Sequence, residues 1–134
     1  MRRFLAFLAA AAALALVGRA ALRRAGLFPV RVAGESMLPT LRPGDLLAAS
    51  PVREQPVARG TLVIVRDSSG LEVVKRVAML EEKEAPSETR YWLLGDNADA
   101  STDSRTHGLY GESQLVGIVR ARYWPPLRFR VFTS

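Results

Sequence analysis

The spacing of apolar and polar positions changes once along this chain, near residue 27. Before it, Arg2 and Arg3 lead into an uninterrupted apolar run over 4–17 that is rich in alanine. As a helix that run would span about 21 Å, short of the roughly 30 Å hydrocarbon core of a bilayer. Extension to Leu22 gives about 28 Å but takes in Gly18 and Arg19, whose guanidinium can snorkel to an interface. The pattern predicts a membrane anchor over 1–26. A cleavable signal peptide is the second reading, because Gly18-Arg19-Ala20 offers a small-x-small site. An interfacial or buried soluble helix is the third. Arginines flank both ends, so the positive-inside rule leaves orientation open.

From Leu27 onward the apolar runs are short and are broken by Pro and Gly. The pattern predicts strands over 30–33, 46–49, 61–65, 71–77 and 91–94, and one starting at Leu115 that reaches Trp124. Asp67-Ser68-Ser69-Gly70 reads as a hairpin turn joining two of them. Loops are expected around Pro51 and Pro56, over 81–90, and from Gly95 to Gly111. Many short strands with turns between them predict a mainly β domain over 27–134, a partly closed barrel or sandwich.

Composition narrows the chemistry. With no cysteine among 134 residues, disulfides, thiolate metal sites and cysteine nucleophiles are excluded. The single histidine, His107, would have to serve any Ser-His-Asp triad, and a multi-histidine metal site is impossible. Of the net charge of +6, residues before Ser36 carry +5, from six arginines against Glu35. That excess flanks the apolar run rather than covering a folded face, which points to a membrane surface and away from nucleic acid.

Three stretches carry candidate chemistry. In the first, Gly34-Glu35-Ser36-Met37-Leu38-Pro39-Thr40, a serine sits at a strand-to-turn corner that can aim its hydroxyl into a cleft. Gly34 is expected to supply backbone geometry that a side chain would block. The second is Val74-Lys75-Arg76-Val77. Only two lysines stand against seventeen arginines, and alternation puts Lys75 on the apolar face of Leu71, Val73 and Val77. A buried lysine titrates low and, once neutral, can act as a general base. Outward snorkelling of Lys75 is the alternative. The third stretch runs from Gly95-Asp96-Asn97 to Ser101, Asp103, Ser104 and Arg105, a polar scaffold loop without the spacing of an EF-hand.

Together, in this order, the three stretches resemble the signal peptidase I family of membrane-bound serine proteases. The resemblance extends to Tyr123-Trp124-Pro125. It implies that Ser36 is the nucleophile and its backbone N–H an oxyanion donor, that Lys75 is the general base, and that Ser101 orients Lys75. It further implies that Asp103 and Arg105 brace the loop, that Gly95, Asp96 and Asn97 shape the turn, and that Met37 and Gly34 border the substrate. Implied partners are leader peptides of exported preproteins, bound as an extended strand, and a lipid bilayer, with the catalytic domain on the extracytoplasmic side. The expected form is a monomer without nucleic acid, metal or organic cofactor.

The chain departs from the family pattern in places. Gly34 stands where some members have a serine that completes the oxyanion hole. Met79-Leu80-Glu81-Glu82 replaces a Pro-Gly-Asp, and the short segment between Lys75 and Gly95 leaves no room for an accessory β domain. The third stretch and Arg122-Tyr123-Trp124-Pro125 also resemble the small proteases that mature nickel-type superoxide dismutase, so one dedicated precursor is the alternative substrate. An inactive relative that binds extended peptides is the other alternative.

Overall fold

The computed structural model describes residues 1–53 and 56–133. The loop expected between Pro51 and Pro56 includes Glu54 and Gln55, which lie outside them. Helix α1 spans Arg2–Arg24 and none of its residues is buried. It is longer than the uninterrupted apolar run because arginine is a good helix former and continues the helix through Arg19 to Arg23 and Arg24. Its 23 residues reach about 34 Å, and its most apolar window has a mean hydropathy of 2.1. The helix is therefore long and apolar enough to cross a membrane.

Eight strands follow: β1 (Phe28–Arg31), β2 (Leu46–Pro51), β3 (Leu62–Arg66), β4 (Glu72–Glu81), β5 (Arg90–Leu94), β6 (Tyr110–Gly111), β7 (Leu115–Trp124) and β8 (Arg130–Val131). A short helix, α2 (Ser104–His107), lies between β5 and β6. The strands form one antiparallel sheet in the order β1-β2-β7-β3-β4-β5-β6, with β8 added to β7. The domain is mainly β, as the spacing of apolar positions predicts.

Local chemistry explains the boundaries. The β3–β4 hairpin turns because the Asp67 carboxylate accepts from the N–H groups of Ser69 and Leu71, while Gly70 takes a left-handed φ of +84°. The first strand stops at Arg31 rather than Ala33. Val32 instead donates to Asp45 O and accepts from Gly44 N, so it joins the loop before β2. The strand expected to end at Val77 runs on to Glu81, since an irregularity between Val77 and Met79 keeps it paired with β5.

Alternate residues of β3 feed two apolar clusters. Leu62 and Ile64 join Val32, Met37, Leu41 and Val74 in one, and Val63 and Val65 join Val77, Tyr91 and Leu93 in the other. The stretch carrying Ser36 is thereby fixed to the first cluster by Met37 and Leu41, which are almost wholly buried.

Candidate active site

Ser36 is half-buried in a turn that leads from β1 towards β2. It lines a cleft of about 300 Å³ whose walls include Val30, Val32 and Gly34 on one side and Leu71, Val73 and Val74 on the other. The cleft has a free strand edge on each side. Among the described residues, β1 pairs only with β2, and β4 pairs with β5 only from Arg76 onward. Met37 also borders the cleft, although its side chain is packed in the core.

The structure corrects one expectation. A Cβ placed on Gly34 would meet nothing within 4 Å, and its φ is not left-handed. Gly34 is not required by backbone geometry; it leaves open space at the cleft wall. The glycine that admits a close approach at this site is Gly95. A Cβ there would lie 2.2 Å from Ser101 Oγ and 2.7 Å from Ser36 O. Only a residue without a side chain lets β5 end where the serine turn and the Ser101 loop meet.

Lys75 lies in the middle of β4, opposite Val63, and is 2% exposed. It does not snorkel. Its Nζ donates to Ser101 Oγ at 3.1 Å, and Ser101 donates in turn to Asp103 Oδ2 at 2.7 Å. Burial holds the ammonium below the ordinary lysine range, Arg105 adds to the lowering, and Asp103 opposes it. Among the described residues, Ser36 Oγ and Lys75 Nζ form no hydrogen bond with each other.

Asp103 is the anchor of the third stretch. Its side chain is fully buried and also accepts from Gly95 N at 2.8 Å, from Arg105 N at 3.1 Å, and from the Arg105 guanidinium at 2.9 and 2.6 Å. Burial alone would raise its pKa. These donors overcome it and hold the carboxyl well below the usual range. Ser104, next in sequence, accepts from Leu93 N at 2.8 Å and so fastens α2 to β5.

Asn97 fastens the third stretch to the first. Its N–H donates to Ser36 O at 2.8 Å, and its side-chain amide donates to Glu35 O at 3.1 Å. Residues 1–84 and 78–124 match the family described as signal peptidase, peptidase S26, so the match spans all three stretches. The chain belongs to this family. It is a signal-peptidase-like protease.

Relatives agree with that placement. The signal peptidase IB of Staphylococcus aureus (strain COL) is 26% identical over 153 aligned positions, covering 76% of this chain and 80% of the relative. Mitochondrial inner membrane protease subunit 1 of Xenopus tropicalis is 30% identical over 110 positions, covering 69% of this chain and 66% of the relative.

Sequence reasoning missed what Asp96 does. Its carboxylate is bound in a fork by Arg76, Nε to Oδ1 at 2.9 Å and Nη2 to Oδ2 at 2.7 Å, and it also accepts from Thr40 Oγ1. Both partners stand inside the family-like motifs, one after Lys75 and one four after Ser36. Their adjacency to the candidate residues was the available signal. His107 is exposed in α2 and takes no part in this network.

Proposed function

We propose that this protein is a membrane-anchored serine endopeptidase that removes amino-terminal leader peptides from exported preproteins, with Ser36 as nucleophile and Lys75 as general base. The observation that carries the reading is a lysine 2% exposed, with its pKa lowered by burial, in the strand that walls the cleft Ser36 lines. A neutral Lys75 has two N–H donors and one lone pair. One donor is used on Ser101, which leaves the lone pair for the serine proton.

The leader peptide lies extended between the free edges of β1 and β4, adding a strand to the sheet. Filling the cleft brings the Ser36 hydroxyl onto Lys75, since catalytic hydrogen bonds commonly tighten only in the substrate complex. Ser36 Oγ attacks the scissile carbonyl carbon as its proton passes to Lys75 Nζ. The backbone N–H of Ser36, which has no acceptor among the described residues, points a donor at the developing oxyanion. Lys75 then protonates the departing amine, and a water deprotonated by Lys75 releases the acyl group. Helix α1 spans the bilayer and holds the sheet on its extracytoplasmic face.

The test is cleavage of a preprotein with an Ala-x-Ala site, in detergent, between pH 6 and 10. Wild type gains activity with rising pH as Lys75 loses its proton, at a pH below the ordinary lysine value. Ser36→Ala and Lys75→Ala lose cleavage. An active Lys75→Ala protein would sink the mechanism.

A further inference from the structure

Thr40 does not line the cleft, yet it is held from two sides. Its hydroxyl donates to Asp96 Oδ2, and its carbonyl accepts from Arg122 Nη1 at 2.7 Å. Arg122 is itself 6% exposed and is fixed by Arg128 O and by the buried carboxylate of Asp45. The chain between Ser36 and Thr40 has little freedom to absorb a shift. Leu38 N bonds to Glu35 O at 3.1 Å, Leu41 N bonds to Met37 O at 2.9 Å, and Met37 and Leu41 are locked in the core.

One carboxylate thus serves two stretches. Asp96 takes the Thr40 hydroxyl from the serine turn and the Arg76 fork from β4, and Arg76 follows Lys75 directly. We infer that Thr40 is a positioning residue that fixes the spacing between Ser36 and Lys75 by sharing the Asp96 carboxylate with Arg76. The inference rests on the Ser36/Lys75 reading. Valine keeps the β-branched side chain but puts a methyl where the hydroxyl donated to Asp96, while serine keeps the hydroxyl.

The test measures acylation of Ser36 by a serine-reactive acylating probe, and peptide cleavage per titrated active site, in full-length wild type, Thr40→Val and Thr40→Ser. Thermal melting of each variant is followed alongside. Thr40→Val is expected to slow acylation and kcat by between about ten- and a hundredfold, the scale of a small misplacement of a reacting group, while KM stays within about twofold. Thr40→Ser keeps the hydroxyl and restores most of the rate.

A purely structural role would lower the melting temperature and the number of active sites, and leave kcat per site unchanged. That result overturns the inference, as does a Thr40→Ser protein as slow as Thr40→Val. A wild type that never labels overturns the Ser36/Lys75 reading and this inference with it. Rapid labelling of both wild type and Thr40→Val overturns the inference alone.

Discussion

Lys75 and Asp103 are both buried, and both touch the hydroxyl of Ser101, but their surroundings treat charge in opposite ways. Around Asp103 the loop replaces lost water with donors from Gly95, Ser101 and Arg105, so its carboxylate stays ionised despite burial. Around Lys75 the sheet supplies valines and one hydroxyl, so burial prevails over the attraction of Asp103. Burial penalises any charge; whether the neutral form gains depends on what stands in for water. One site holds its charge firmly as scaffold, and its neighbour holds its charge less firmly.

The sharpest way to break the contrast is Lys75→Arg. Guanidinium stays protonated at any working pH, so the strand would keep a cation but lose the proposed base. Cleavage should fall by about a thousandfold or more in the preprotein assay, within the range general-base catalysis supplies. Removing the scaffold charge acts on stability instead. Asp103→Ala orphans the buried Gly95 N–H and frees the Arg105 head group, and chemical denaturation should show a loss of about 3 kcal/mol. Because the folded carboxyl titrates low, wild type keeps this contribution above the unfolded value near 3.8 and loses it as pH falls through the folded pKa.

Much of this contrast was legible in the sequence. Alternation along 71–77 puts Lys75 on an apolar face, and scarcity of lysine makes it conspicuous. The pairing of Asp103 with Arg105 was expected, but the burial of Asp103 was not legible, because the Gly95 N–H reaches it through a fold of the loop that no periodicity encodes. The reading of Gly34 failed for a related reason. A glycine two residues before a candidate nucleophile resembles a steric necessity in one dimension, but the crowded glycine at this site is Gly95, about sixty residues on, where three segments converge. Strands β6 and β8, two residues each, are too short for alternation to reveal.

Two smaller effects sharpen the comparison further. Ser101→Ala removes the hydroxyl common to both sites, and kcat should fall between about ten- and a hundredfold as Lys75 loses its orienting partner. Asp103 keeps Gly95 and Arg105, so the melting temperature should move little. The smallest effect is in the other direction. Folding lowers the pKa of Lys75, so the unfolded chain binds its proton more readily, and this disfavours the folded state below the ordinary value of 10.5. Lys75→Met should therefore be inactive yet slightly more stable than wild type at pH 7. The gain, read from melting curves, should shrink as pH approaches that ordinary value.

Helix α1 ends at Arg24, and Ser36 follows twelve residues later. Fully extended, twelve residues reach about 40 Å at most, and the pairing of β1 shortens that leash. In the membrane-anchored arrangement proposed above, Ser36 stays within that reach of the lipid surface. A second chain threaded through the same bilayer then meets it by lateral diffusion, at an effective concentration set by the leash rather than by bulk dilution. In that arrangement a soluble protein with the same scissile sequence gains no such local concentration, and selectivity would follow partly from address.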